Sequence, residues 1–162
     1  PGFKGRTNEC GLRTPMIAYW KNHTPVGKEC SDLIDLTDFF PTLLEVADKE
    51  LLEVADKEIP RNEIIDGVSF LPQILGLTGK PREWIFGYFN TKPSKDYTSS
   101  RRRWASNRRY RLYDDGRMYQ IIRDPLETEN IQNDPSPDIQ DARVSLFNIL
   151  ANHPKNPPGI GG

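Results

Sequence analysis

Residues 4–20, KGRTNECGLRTPMIAYW, constrain the fold of this chain more than any other stretch. They divide into a polar, turn-forming run and a short apolar run. Gly5 and Gly11 permit backbone conformations that residues with a Cβ avoid. Pro15 has no N–H to donate to a ladder, so it suits the first residue of a strand, and the near-continuous apolar run at residues 16–20 is typical of a strand covered on both faces. The segment therefore predicts a polar loop delivered by a buried strand, which is a common way to hold reactive side chains on a rigid scaffold.

Length and charge bound the remaining possibilities. A chain of 162 residues is enough for one domain with a core or for two small subdomains. Its formal net charge of -1 gives no whole-chain attraction to nucleic acid or to a membrane surface. No apolar run approaches the roughly 18 residues that a membrane helix needs. We therefore expect no nucleic-acid partner and no membrane partner. The chain opens at Pro1 inside a motif-like segment without a signal peptide, so we expect it to be a fragment.

The cysteines and histidines give no metal signal. Cys10 and Cys30 are too few for a disulfide framework or a zinc site, and two free thiols are favoured over a bridge. His23 and His153 are far apart and have no neighbours at metal-ligand spacing. The sequence therefore predicts no metal site within this chain.

A helix is predicted after residue 30. Apolar residues recur at spacings of three and four between Leu33 and Leu44, which is typical of an amphipathic helix. Thr37 or Asp38 is the predicted cap of its main part, with Pro41 tolerated in the first turn.

The octapeptide LLEVADKE occurs at residues 43–50 and again at residues 51–58. An offset of eight residues rotates the apolar face of the second copy by about 80° on a helix. The second copy would either extend the helix by two turns or be looped out. A short helical turn is predicted further on, ending at Gly76 or Gly79.

The second half of the chain predicts strands and a last helix. Residues 82–89 are aromatic and partly alternating, which favours a strand. Residues 101–122 open with an arginine-rich run and permit two interpretations. One is a nucleic-acid patch with stacking aromatic residues, and the favoured one is a two-stranded hairpin with a charged outer face and a turn at residues 114–116. A helix starting at residues 135–138 is expected to pack on this hairpin. Its predicted apolar stripe consists of Ile139, Ala142, Val144, Leu146, Phe147 and Leu150.

Three stretches resemble segments of the sulfatase family, the arylsulfatase-like enzymes that hydrolyse sulfate esters. Residues 4–20 resemble the family segment KGTTYEGGIRVPFIVRWPG. Residues 31–48, SDLIDLTDFFPTLLEVAD, are close to VSLTDLFPTLLELAG. Residues 105–131 follow the family pattern AVR.GRYKLI…GELYDL..DP.E..NL. The matching positions of the first segment are Lys4, Gly5, Thr7, Glu9, Gly11, Arg13, Pro15, Ile17 and Trp20.

The resemblance implies a role for one residue of the first segment. In sulfatases the lysine of this segment contacts the sulfate group, so Lys4 would be the sulfate-contacting residue here. A lysine is a compact cation with three donors, which suits an oxyanion. Glu9 and Arg13 could line the pocket, and the favoured interpretation is that they support the loop through hydrogen bonds or an ion pair. Cys10 stands where the family usually has a second glycine, and Ser106 stands where the third segment has an arginine, so no substrate contact is assigned to Ser106.

The resemblance also implies groups that this sequence does not supply. Sulfatases use a formylglycine, made from a Cys or Ser in a C/S-x-P-x-R motif, and a divalent metal, usually calcium. Neither Cys10 nor Cys30 lies in that motif. We expect the missing N-terminal part of the same protein to supply both groups, and we expect this fragment alone to be inactive. The implied substrate is a sulfated small molecule or a sulfated carbohydrate, and the implied location is periplasmic, secreted or lysosomal.

The implied fold class is α/β, and more narrowly an α+β fragment. Residues 1–80 would form the end of an alkaline-phosphatase-like catalytic domain, and residues 81–153 a small antiparallel sheet with a C-terminal helix. Residues 154–162 are expected to form a loose tail. Two other functions stay open. One is a phosphodiesterase or phosphonate hydrolase of the same superfamily, and the other is a non-enzymatic anion-binding module that uses the arginine-rich hairpin.

Overall fold

Two longer helices, several short helical turns and a small antiparallel sheet make up the regular structure. The computed structural model describes residues 5–52, 66–90 and 101–155, without the side chains of residues 48–52. Among these residues no helix is both long enough and apolar enough to cross a membrane. The elements in chain order are α1 Glu9–Leu12, a 3-10 turn Leu36–Asp38, α2 Phe39–Leu52, α3 Leu71–Ile74, β1 Ile85–Asn90, β2 Arg101–Ser106, β3 Arg111–Tyr113, β4 Met118–Tyr119 and α4 Pro137–Asn152.

The described residues group into two compact units. The first, the sheet unit, contains residues 5–14, 84–90 and 101–155. The second, the helix unit, contains residues 15–52 and 66–83. The sheet unit therefore contains both the first and the last described residues, and the described residues between 15 and 83 form the helix unit.

The sheet is an antiparallel meander in the order β1-β2-β3-β4. The predicted strand at residues 82–89 is confirmed as β1. The predicted turn at residues 114–116 is also confirmed, and it joins β3 to β4 with Gly116 at a φ of +91°. The prediction of only two strands over residues 101–122 was wrong, because a further turn separates β2 from β3. Asn107 closes that turn by accepting hydrogen bonds from the backbone N–H groups of Arg109 and Tyr110.

Helix α4 packs on one face of this sheet, as predicted. The core between them contains Ala105, Leu112 and Met118 from the strands and Ile139, Leu146 and Leu150 from the helix. The predicted apolar stripe was wrong at two positions, because Val144 and Phe147 are 62% and 61% exposed. At about 100° per residue both point away from the face that Leu146 and Leu150 share.

Two arginines do not lie on the predicted charged outer face, because Arg103 of β2 and Arg111 of β3 are only 4% and 3% exposed. Arg103 donates hydrogen bonds from Nη2 to the carbonyls of Leu150, at 2.8 Å, and His153, at 2.9 Å. Carbonyls at the end of a helix lack intrahelical partners, and a cation there also opposes the helix dipole. Arg103 therefore caps the C-terminal end of α4 instead of facing solvent.

The other face of the sheet is covered by the start of the described chain. Side chains alternate between the two faces of a strand, so Arg111 and Tyr113 point away from the face that Leu112 shares with α4. They make hydrogen bonds to Thr7, which is 3% exposed. Residues 7–9 therefore pack against the sheet face opposite α4.

The helix unit is held together by a buried carboxylate. The predicted helix is confirmed as α2, and it follows a 3-10 turn that is capped by Asp35 in a capping box with Asp38. Asp38 is 1% exposed, accepts a hydrogen bond from the backbone N–H of Val68 at 2.7 Å, and forms an ion pair with Arg82. Burial raises the pKa of Asp38, but its hydrogen bonds from Arg82 and from the backbone outweigh burial and hold that pKa below its ordinary range. The predicted short turn is also confirmed as α3, which is followed by Gly76 at a φ of +76°.

The predicted buried strand at residues 16–20 was wrong. Residues 14–20 have no regular secondary structure, and Ile17 and Tyr19 are 96% and 81% exposed. An apolar run becomes a buried strand only where neighbouring strands pair with it and other layers cover it. The sheet of the described residues contains β1 to β4 and offers no such neighbour to this segment.

The repeated octapeptide lies partly outside the described residues. Helix α2 contains the whole first copy and continues through Leu51 and Leu52, the first two residues of the second copy. Residues 53–58 are not described, so the choice between a longer helix and a looped-out copy stays a prediction. Cys10 and Cys30 are both free, as predicted, and both are exposed.

Candidate functional site

The candidate site residues all come from the first segment of the chain. Lys4, the predicted sulfate contact, lies outside the described residues, which begin at Gly5. Glu9 starts the short helix α1, and Arg13 follows that helix and donates its backbone N–H to the Glu9 carbonyl at 2.9 Å. The Arg13 residue is exposed. Of the three predicted residues, Glu9 is the one whose described side chain turns toward the sheet.

Glu9 belongs to a buried polar cluster, which we call the Arg111 cluster and define as Thr7, Glu9, Arg111, Tyr113 and Glu127. Arg111 and Tyr113 lie on β3, and Glu127 lies in the loop after β4. Glu9 begins α1, and Thr7 lies two residues before that helix. Arg111 and Tyr113 are 3% and 2% exposed. The cluster therefore joins parts of the chain that are more than 100 residues apart in sequence.

The guanidinium of Arg111 binds both carboxylates of the cluster. Its Nη2 lies 2.5 Å from Oε1 of Glu9, and its Nη1 lies 2.8 Å from Oε1 of Glu127. The same Nη1 donates to the Thr7 carbonyl at 3.0 Å. The planar fork of an arginine suits several simultaneous bonds of this kind, whereas a lysine is a single point charge. Arg111 is therefore a central tether of the cluster.

Tyr113 adds a second tether to the same two segments. Its hydroxyl lies 2.6 Å from Oε2 of Glu127, 3.0 Å from the Thr7 carbonyl and 3.2 Å from the Thr7 hydroxyl. Burial and, after it, the hydrogen bond to Glu127 raise the pKa of Tyr113 to about 12. The hydroxyl stays protonated at neutral pH and can act as a donor to Glu127.

Glu127 adopts an unusual backbone conformation for a residue with a side chain. Its φ is +59°, in the left-handed region. That conformation costs a residue with a Cβ about 1 kcal/mol or more. The hydrogen bonds that its carboxylate accepts from Arg111 and Tyr113 offset this cost.

The cluster has a structural role, because its side chains are bound to one another and hold the start of the chain on the sheet. Each of its charged side chains is bound to an oppositely charged partner inside the cluster, and its tyrosine is protonated. Two further bonds hold the same segment: Arg102 donates to the Thr7 hydroxyl at 3.3 Å, and the Asn8 amide donates to the Leu126 carbonyl at 3.5 Å. The arrangement fixes residues 7–9 on the sheet.

The described residues do not fit a metal centre. Within residues 5–52, 66–90 and 101–155, no group of three or more His, Cys, Asp or Glu side chains could hold a metal ion. We therefore derive no reaction step through a metal from these residues.

Comparison with known proteins identifies the relatives of this chain. No family model matches it. It is 35% identical over 54% of its length to the sulfatase YdeN of Escherichia coli, and 34% identical over 52% of its length to arylsulfatase A of Bos taurus. It is 36% identical over 52% of its length to the N-acetylgalactosamine-6-sulfatase of Canis lupus familiaris. The chain is similar to sulfatases. It spans 15% of the length of each of these sulfatases.

A solved structure agrees with this relationship at the level of the fold. A protein of Bacteroides thetaiotaomicron that is provisionally named a sulfatase matches 70% of this chain, with a TM-score of 0.50 and 22% sequence identity. The match covers 24% of that protein. The sulfatase resemblance and the mixed helix-and-sheet fold class expected from the sequence are therefore confirmed.

Sequence reasoning missed most of the Arg111 cluster. Arg111 and Tyr113 were assigned to a charged hairpin, and no role was assigned to Thr7 or Glu127. The available signal was the spacing of Arg111 and Tyr113. Two residues apart on a strand, they share one face, and an arginine beside a tyrosine there suits a polar contact. The partner of that face, more than 100 residues away, has no local signature.

Proposed function

We propose that this chain is the C-terminal part of a sulfatase that hydrolyses sulfate esters. The observation that carries the proposal is the sequence similarity of about half the chain to several sulfatases at 34–36% identity. The anchored segment at residues 7–9 adds support, because it closely follows the lysine that the resemblance assigns to sulfate binding.

In this proposal Lys4 contacts the sulfate group of the substrate. A lysine ammonium donates hydrogen bonds to the negatively charged oxygens and needs no proton transfer to do so. Glu9 and Arg13 support the loop. The ion pair between Glu9 and Arg111 is consistent with such a role, as is the backbone hydrogen bond from Arg13 to the Glu9 carbonyl.

The proposal extends to parts of the protein beyond this chain. An N-terminal part would supply the formylglycine nucleophile and a divalent metal such as calcium. Residues 1–80 would end the catalytic domain, residues 81–153 would form the C-terminal subdomain, and residues 154–162 a tail. The substrate would be a sulfated small molecule or a sulfated carbohydrate, and the location periplasmic, secreted or lysosomal.

The test is to read the source gene upstream of the Pro1 codon and to express its full product. We expect a C/S-x-P-x-R motif upstream and hydrolysis of an aryl sulfate by the product, with no turnover by the 162-residue chain alone. Lys4→Ala should lower kcat/KM by about 10²-fold or more, the usual effect of removing one donor to a developing oxyanion. Lys21→Ala, which removes an exposed lysine, is the matched control.

Three results would contradict the proposal. Preferential hydrolysis of phosphate diesters or phosphonates by the product would favour the related hydrolases. Binding of a polyanion with a steep salt dependence and no turnover would favour an anion-binding module. Turnover by the 162-residue chain alone would overturn the expected need for an N-terminal part.

A further inference from the structure

We propose that Arg111 is a positioning residue for Lys4, acting through the ion pair with Glu9 and the bond to the Thr7 carbonyl. The inference rests on the proposed role of Lys4 in sulfate binding. In this proposal β3 fixes the segment that presents the sulfate-binding lysine. The sheet unit would therefore contribute to the active site, a role that the sequence similarity does not specify.

The first support is the convergence of bonds on one short segment. Thr7 is bound by Arg102, Arg111 and Tyr113, and Glu9 is bound by Arg111. Residues 7 and 9 are therefore each fixed to a strand of the sheet. A segment held at two positions so close in sequence has little freedom to shift along the sheet.

The second support is the short distance along the chain from this anchor to Lys4. Thr7 is the third residue after Lys4, so their Cα atoms cannot be more than about 11 Å apart. Gly5, the residue next to Lys4, has a φ of +81°, a conformation that favours glycine. Because a lysine must meet a sulfate oxygen within hydrogen-bond distance, a shift of about 1 Å in its anchor is enough to reduce catalysis strongly.

The third support is the identity of the tether. One guanidinium bonds to Glu9, to Glu127 and to the Thr7 carbonyl at the same time. Glu127 holds the other side of the guanidinium, and it also accepts the Tyr113 hydroxyl. Removing one carboxylate leaves a buried guanidinium with fewer acceptors, so the segment should loosen although the strands remain paired.

The first experiment measures the anchor in the 162-residue chain. Amide hydrogen exchange at residues 6–13 should become about tenfold faster or more in Glu9→Gln, since a charged hydrogen bond is lost there. Asp115→Asn is the matched control, because it neutralises an exposed carboxylate that pairs with Arg117 in the same sheet unit. It should leave exchange at residues 6–13 unchanged. Circular dichroism checks that both variants are folded. Equal exchange in Glu9→Gln and the parent chain would overturn the proposed anchor.

The second experiment tests positioning in the full gene product. Glu9→Gln should lower kcat/KM for an aryl sulfate by about tenfold, and it should lower it no further when the Lys4→Ala substitution is already present. Arg111→Lys should have an effect in the same direction, because it keeps the charge and loses the fork. Equal factors for Glu9→Gln with and without the Lys4→Ala substitution would mean that the cluster acts independently of Lys4, and would overturn the inference.

The two readouts separate this inference from the proposed function. A product without sulfatase activity, together with faster exchange in Glu9→Gln, would overturn the proposed function and the catalytic role of the cluster while retaining the anchor. An active product in which Lys4→Ala matters and Glu9→Gln does not would retain the proposed function and overturn the positioning role.

Discussion

The Tyr113 hydroxyl carries a pH-dependent part of the stability of the sheet unit. The pKa of Tyr113 is about 12 in the folded state and about 10 in the unfolded chain. The unfolded chain therefore ionises at a lower pH than the folded one. The sign follows from this difference: the contribution is complete below about pH 10 and is lost between about pH 10 and pH 12. We predict that the free energy of unfolding falls by up to about 1.4 kcal/mol for each pH unit in that window.

Tyr113→Phe is the variant that isolates this group. At neutral pH it should destabilise the chain by about 1–3 kcal/mol, because Thr7 and Glu127 lose a buried donor. The stability difference between the parent chain and the variant should shrink as the pH rises through the window, when measured by urea unfolding. Tyr19→Phe, at a tyrosine that is 81% exposed, should leave both quantities unchanged. A difference that stays constant from neutral pH to about pH 12 would contradict the assignment.

For single residues, the sequence predicted the state of the cysteines but not the burial of the arginines. Both cysteines are free, as expected. Arg103 and Arg111 were expected on a charged outer face and are buried. Local alternation indicates that two side chains share a face of a strand. It does not indicate what covers that face, and here α4 covers one face and residues 7–9 pack against the other.

At the scale of elements, the pairing of β1 with β2 depends on a residue without a side chain. Gly87 lies opposite Trp104 in the register of the two strands. A Cβ at residue 87 would lie 2.1 Å from two ring carbons of the Trp104 indole. Trp104 also packs with Tyr113 and Tyr119 in a cluster on the sheet, so the indole cannot move without disturbing that cluster.

We predict that Gly87→Ala destabilises the sheet unit by about 1–3 kcal/mol, the usual cost of overpacking. Thermal unfolding followed by tryptophan fluorescence measures the loss. The control is a double-mutant cycle with Trp104→Leu, which removes the indole. Gly87→Ala should cost clearly less in the Trp104→Leu background. Equal costs in the two backgrounds would mean that the clash with the indole is not the cause.

Elements with a strong local signal were predicted, and those defined by distant partners were not. The periodicity of α4, the aromatic alternation of β1 and the Asp-Asp-Gly turn before β4 are local features, and all three are present. Helix α1 contains four residues, which is too short for a periodic pattern to develop. The apolar run at residues 16–20 indicated burial, but the described sheet has no strand beside it.

At the scale of the whole molecule, the sheet unit is closed by its most distant sequence contacts. The bonds from Arg111 and Tyr113 to Thr7 span 104 and 106 residues. No local sequence pattern specifies such a contact, and the resemblance of separate segments to a family does not specify which segments pair in space. This is why the fold class could be predicted from the sequence whereas the Arg111 cluster could not.

We predict that deleting residues 1–14 destabilises the sheet unit by about 3–5 kcal/mol, the usual effect of breaking a buried ion pair from one side. The deletion removes one of the two carboxylates of Arg111 and the Thr7 acceptor of Tyr113. Hydrogen exchange should then quicken in β2, β3 and α4, while α2 of the helix unit should keep its exchange rates. Deleting residues 1–4 alone is the control, because it retains Thr7 and Glu9, and it should leave the sheet unit as stable as in the parent chain. Equal effects of the two deletions would mean that the start of the chain does not stabilise the sheet through the Arg111 cluster. The packing of α4 would then be the main source of the stability of the sheet.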